Sequence, residues 1–399
     1  MIENRLQSSW AENILFTVLL SCIPVYILNP KYVEKIIYLI ALFCFLGLLK
    51  KWRKLKFNPL AFALFIFGAS TLIWAYTQQG SSTEFLSTYR SYKDAGKLML
   101  AIAIITLALD SFEFKIEIGF TWGYIVLLVC CGLAMLNYSG ELFIDDRLSI
   151  NMPATGTAYI FTFLSIAALS LPKLHLFIRL GIFFALLYLV VLTGTRAAIL
   201  VMPALLAIFL VFEFKKIKNK KLILSFFLFT FIFIAFFSKD TIVKRTNSAL
   251  SDLTNYSNNN SNSSIGARFA MNEIGLKTGN HHLLGQSLES RLSSMQELTK
   301  GKPTLQAALM FADVNLHSDF IDAYSIRGIP GAFIYLLLIG LLLYSAYREK
   351  NLYKFMFTLS TIAYGMSDMI FYGRNMMVIW GVCFIIITLC SYNKNMGYK

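Results

Sequence analysis

The residues with the greatest chemical capacity in this chain lie in one stretch, residues 238–329, the single long polar segment between strongly apolar ones. It holds His281, His282 and His317, and it ends His317-Ser318-Asp319-Phe320-Ile321-Asp322-Ala323-Tyr324-Ser325-Ile326-Arg327-Gly328-Ile329-Pro330-Gly331. A neutral imidazole suits proton transfer near neutral pH, so His317 is a candidate general base. Asp313, four residues earlier, would share a neighbouring face of a helix and orient the ring. The plainer alternative is a partly exposed helix histidine bonded to Asp313 or to a backbone carbonyl. The adjacent pair His281-His282 reads as a solvated turn.

Arginines form a second group. Arg90, Arg147, Arg196, Arg268, Arg327 and Arg374 all fall on the side of the chain opposite its basic loops. A guanidinium fork can hold a phosphate bidentately. Arg196 sits at the junction of two apolar runs, where it can equally be a snorkelling anchor. Lys93, Asp94 and Lys97 are either ordinary interfacial charges or part of an acceptor surface. Asp145-Asp146-Arg147 invites comparison with metal-holding acidic pairs, but its isolation between Phe143 and Leu148 argues against that chemistry. No metal is assigned.

The elements that must position these residues are membrane spans. Of 399 residues, 57% are hydrophobic and only 15% charged, with a mean hydropathy of +0.62. A soluble chain carries about 25% charged residues. Apolar runs fall near 12–29, 33–49, 58–76, 96–109, 117–137, 153–172, 177–194, 197–213, 222–238, 329–347, 353–372 and 375–391, giving about twelve candidate spans. The first has no cleavage pattern and reads as a retained span rather than a signal peptide. The net charge of +14 lies largely in short loops, where it sets topology rather than marking a nucleic-acid partner. Basic clusters at 50–56, 215–221 and 348–350 all fall on the same side as both termini, which predicts a cytoplasmic side and leaves residues 238–328 extracytoplasmic. The six cysteines lie within apolar runs and predict neither disulfides nor zinc.

Inside the polar segment, residues 255–264 are Asn/Ser-rich and read as mobile. Residues 266–278 look helical. Pro303 can begin another helix, whose apolar stripe runs through Leu305, Leu309, Ala312, Leu316, Phe320 and Ala323. Gly328, Pro330 and Gly331 predict a kink on entry to the next span.

With these residues in place, the sequence resembles the bacterial O-antigen ligases. The resemblance rests on His317-Ser318 followed at fixed spacing by Gly328 and Gly331, on Arg196-Ala197-Ala198-Ile199-Leu200, and on Ser264-Ile265-Gly266-Ala267-Arg268. It implies an all-α polytopic membrane protein of GT-C-like architecture, with one large, partly helical periplasmic loop. Its parts would be spans one to nine (1–237), the loop (238–328), and three spans with a short cytoplasmic tail (329–399). It implies a bacterial inner-membrane enzyme, working on the periplasmic side. This glycosyltransferase would move O-antigen polysaccharide from undecaprenyl diphosphate to a sugar hydroxyl of lipid A–core, with inversion and without metal or cofactor. His317 would be the base, Arg196 and Arg268 would stabilise the departing diphosphate, and Arg90, Arg147, Arg327, Lys97 and Asp313 would contact substrate. Two other readings remain: an O-antigen polymerase, and a transporter of lipid-linked saccharide. The absence of evident repeats and of midplane charges favours the enzyme.

Overall fold

A computed structural model describes residues 18–19, 21–27, 29–80, 83–111, 142–171, 174–213 and 239–396, with scattered positions between. The candidate spans near 117–137 and 222–238 fall largely outside these residues, and the one near 12–29 falls partly outside them. The described chain is all-α apart from one two-residue antiparallel hairpin, Phe143–Ile144 (β1) against Arg147–Leu148 (β2).

The helices are α1 (Pro30–Lys50), α2 (Pro59–Thr77), α3 (Leu86–Ser111), α4 (Ala154–Ser170), α5 (Leu176–Leu192) and α6 (Arg196–Glu213). They are followed by α7 (Lys239–Ser257), α8 (Ser264–His281), α9 (Leu288–Thr299), a 3₁₀ segment (Pro303–Phe311), α10 (Asp319–Arg348), α11 (Leu352–Gly365) and α12 (Arg374–Met396). Helix starts follow ordinary capping chemistry. Asn29 and Asn58 accept from the first turn, each with a proline just inside. Ser263, Ser287 and Asn351 cap α8, α9 and α11 in the same way.

α1, α2, α6 and α10 are long and apolar enough to cross a membrane, and α4, α5 and α12 are shorter apolar helices. Leu39, Phe43, Phe62, Ile73, Leu200, Phe333 and Leu336 are exposed on the outer faces of the bundle, as expected of residues facing lipid rather than water. α4 and most of α12 are buried along their length and form the centre. This is a multi-pass, all-α membrane protein. α2 and α3 approach closely because Gly68 and Gly96 face each other: a Cβ on Gly68 would lie 2.8 Å from the Gly96 carbonyl.

The polar segment is folded, and several local expectations need correction. Helix α7 was not anticipated, because its Thr, Asn, Ser and Asp residues lower helix propensity. The Asn/Ser-rich stretch is anchored at one point: Ser261 is buried and donates to the Pro303 carbonyl at 3.2 Å. The continuous helix expected after Pro303 is broken. Its first part is 3₁₀, residues 312–318 are irregular, and α10 begins only at Asp319. The apolar stripe is nevertheless buried, since Leu305, Ala308, Ala312 and Leu316 join Ala267, Ala270, Met271 and Ile274 in a small core of the segment's own. A second cluster, with Trp74, Tyr89, Tyr92, Leu288, Ile326 and Met369, joins this segment to the bundle, and Trp74 Nε1 donates to the Gln286 carbonyl at 2.9 Å.

The expected kink is present. Gly328 adopts φ 62, ψ −154 inside α10, a conformation essentially reserved for glycine. A Cβ there would fall 2.1 Å from the Leu283 carbonyl oxygen, and one on Gly331 would fall 2.6 Å from that of Ala323. The Ile329 amide donates to the Leu283 carbonyl at 2.9 Å and so pins the bend. The glycine spacing after His317 therefore has a steric cause. At the far end of the helix, residues 57–60 meet Asp110, Arg348, Glu349 and Lys354 around a small cavity.

Candidate active site

His317 does not sit on a helix. It lies in the irregular link before α10 at φ 47, the left-handed region that histidine enters more readily than most residues. The partner expected for it is also corrected. Its Nδ1 lies 3.0 Å from Asp368 Oδ1, while Asp313 is exposed and contributes its backbone carbonyl to Thr88. The i, i+4 relation that would have brought Asp313 to the ring requires a helix that the chain breaks at residue 312.

Asp368 comes from the turn after α11. A span was expected to run on to residue 372, but the helix stops at Gly365, and Asp368 turns back to accept from the Met369 amide at 2.9 Å. The pair is half-buried, with side-chain exposures of 25% for His317 and 18% for Asp368. The imidazole stands edge-on to Phe311, with ring centroids 5.1 Å apart. Asp368 therefore orients the Nδ1 side and leaves Nε2 as the atom free to take up a proton.

A group of arginines gathers around the α5–α6 turn. Arg196 opens α6 and pairs with Asp252 of α7 at 2.8 Å. Arg147, from the β-hairpin, donates from Nε to the Thr193 carbonyl at 2.8 Å and so braces the turn between α5 and α6. Arg268 lies one turn into α8, and its Nε is buried without a hydrogen-bond partner among the described residues. Arg245 of α7, not singled out from sequence, packs over the same turn. Burial first, and then the positive fields of Arg245, Arg196 and Arg268, hold the Arg147 guanidinium below the ordinary arginine range. Arginine stays protonated in proteins, so this crowding of cations is unfavourable until an anion relieves it. Tyr159 links the two groups. It stacks on Tyr364 at 4.1 Å and lies within electrostatic reach of Asp368, Arg268 and Arg147.

The α5–α6 turn depends on Gly194, at φ 60, where a Cβ would stand 2.6 Å from Arg245 Nε. Gly194→Ala is expected to cost about 1–2 kcal/mol from the left-handed conformation and to displace Arg245. The check is a lowered melting temperature in detergent together with weakened binding of a diphosphate lipid. Unchanged values in both would show that the turn relaxes freely.

The remaining sequence candidates are not brought to this group. Arg327 is buried against α2, donating to Thr71 and lying 5.0 Å from the Phe67 ring centroid. Arg90 and Lys97 are exposed on α3 near Asp94. Arg374 is clamped between Glu34 and Asp94. Asp145 and Asp146 form the tight turn of the β-hairpin, both at positive φ, which accounts for their residue types without a ligand. Asp368 could have been sought as the acidic residue closing an otherwise apolar run. Arg245 stood in a stretch where no helix was recognised.

Comparison with known proteins identifies the family. Residues 181–336 match the family described as O-antigen ligase. The chain is 32% identical over 377 residues to the O-antigen ligase of Escherichia coli (strain K12), covering 90% of this chain and 88% of that one. It is also 33% identical over 157 residues to an uncharacterized protein of Haemophilus influenzae, covering 37% of each. With that identity over most of both chains, the chain belongs to the O-antigen ligase family.

Proposed function

We propose that this protein is an inverting O-antigen ligase of the inner membrane, with its active site on the periplasmic side. The observation that carries the reading is the His317–Asp368 pair at 3.0 Å, with the mutually close arginines 147, 196, 245 and 268 on the other side of Tyr159, which lies within electrostatic reach of both Asp368 and Arg147. The donor is O-antigen on undecaprenyl diphosphate and the acceptor is a sugar hydroxyl of lipid A–core. His317 Nε2 takes the proton of that hydroxyl as its oxygen attacks the anomeric carbon. The bond from that carbon to the diphosphate oxygen breaks, and the electron pair leaves with the diphosphate.

Attack opposite the leaving group inverts the centre. A sugar hydroxyl is a weak acid and needs the base, whereas a diphosphate leaves readily and needs only its charge matched. Arg196 and Arg268 supply that charge directly. Arg147 holds the turn on which Arg196 begins, and Arg245 adds to the field. The basic clusters near 50–56 and 348–350 support a cytoplasmic assignment for the opposite end of the bundle.

The test is reconstitution of purified protein with undecaprenyl-diphosphate O-antigen and lipid A–core. Core-linked polysaccharide should form, and EDTA should leave its rate within about twofold, because arginines occupy the role a divalent cation plays elsewhere. Donor chains that lengthen without reaching the core would make this a polymerase. An absolute requirement for Mg²⁺ would return attention to Asp145 and Asp146.

A further inference from the structure

Neither member of the proposed catalytic pair sits on a regular element. His317 lies in an irregular link and Asp368 in a turn, yet they meet at 3.0 Å. Something must fix both segments. Two carboxylates in the first turn of α10 do so, and both are almost fully buried, at 3% exposure for Asp319 and 1% for Asp322.

Asp322 holds the histidine segment. Its Oδ1 accepts from the Leu316 amide at 3.2 Å and from Arg291 Nη1 at 2.8 Å, while Oδ2 accepts from the Tyr92 hydroxyl. Arg291, itself fully buried, reaches on to the Ala312 carbonyl at 3.3 Å. Asn315 then accepts from the His317 amide at 3.0 Å. The link is thus gripped at both of its ends.

Asp319 holds the aspartate segment. Both its oxygens accept from the Ile370 amide, at 3.2 and 3.1 Å, and Oδ1 also accepts from the Phe371 amide at 3.1 Å. The end of α11 comes close enough because residue 365 is glycine: a Cβ there would stand 2.7 Å from Asp319 Oδ2. Residues 319 and 322 are one helical turn apart. One rigid turn therefore serves as the common reference for two segments 51 residues apart in sequence.

We infer that Asp319 and Asp322 are positioning residues, which set the separation and orientation of His317 and Asp368 without touching substrate. This rests on the proposed roles of His317 and Asp368. It predicts a particular kinetic signature, because a misplacement of about 1 Å can cost roughly 10²-fold in rate while the arginine group that binds the donor is undisturbed.

The test uses the full-length protein with polyprenyl-diphosphate-linked O-antigen and lipid A–core. Asp319→Asn should lower kcat by about 10²-fold and leave the donor KM within about twofold. On an Asp368→Asn background the same change should have little further effect, since residues acting through one another are not additive. Gly365→Ala, which pushes on the Asp319 carboxyl group without replacing it, should give the same kcat loss and guards against a variant that simply misfolds. The imidazole ¹⁵N signals of His317 should change in both single variants, reporting the loosened contact to Asp368.

A kcat within twofold of wild type for Asp319→Asn would overturn the proposal, as would losses that multiply with Asp368→Asn or a donor KM that rises in step. These outcomes are separable from failure of the parent reading. If His317→Asn kept full activity, the base assignment would fall first. If it were inactive while Asp319→Asn was normal, the positioning role alone would fall.

Discussion

Replacing His317 by asparagine is expected to reduce ligation by ~10²–10⁴-fold, the range a positioned general base supplies. Asparagine is the better probe than alanine here, because the residue stands at φ 47 and asparagine tolerates that region. Alanine would add about 1–2 kcal/mol of backbone strain and confuse lost chemistry with lost structure. The amide can still meet Asp368, so the link should keep its course while the proton acceptor disappears. Rates measured with both purified substrates, alongside elution as a monodisperse species in detergent, decide the matter. Wild-type turnover by a well-folded His317→Asn protein would remove His317 from the chemistry.

The second large effect is expected at the arginines. Arg268→Lys and Arg196→Lys should each lower kcat by ~10²–10³-fold, as removal of a donor aimed at developing charge does elsewhere. Lysine keeps the charge but loses the planar fork that meets two phosphate oxygens at once. Arg268 is the sharper of the two tests. Its Nε is buried with no partner among the described residues, so a donor is already desolvated there, whereas Arg196 is engaged with Asp252. Near-normal rates for Arg268→Lys would mean that a point charge suffices and the fork has no role. Arg147→Lys should instead act through the α5–α6 turn, because the guanidinium braces the Thr193 carbonyl.

Several apolar helices and the kink were readable from sequence because each depends on one local quantity. Apolar length gave α1, α2, α5, α6 and α12 to within a few residues, and glycine and proline placed the bend in α10. His317 stood out as a lone imidazole ahead of those glycines. What escaped depends on contacts between distant segments. Asp313 looked like the partner of His317 because helical periodicity says where apolar residues recur, not where a helix breaks. The buried stripe through Leu305, Ala312 and Leu316 is real, but 3₁₀ turns and an irregular link bury it equally well. Asp368 was hidden in a run read as hydrocarbon-spanning, since hydropathy averages over a single acidic residue. Arg245 was missed because α7 has weak helix propensity of its own and depends on its neighbours.

The bend at Gly328 has a mechanical consequence. Spanning helices tilt as bilayer thickness varies, and α10 carries exposed apolar residues such as Ile329, Phe333 and Leu336 on its lipid-facing side. In an unbroken rod that tilt would be transmitted directly to the turn holding Asp319 and Asp322. Here the Leu283 carbonyl fastens the Ile329 amide at the break, and the turn beyond it is anchored to the polar segment's own core. The pinned bend takes that turn out of line with the rest of the span, so the orientation of Asp319 and Asp322 is set by the polar segment they pack against rather than by the axis of the helix that follows.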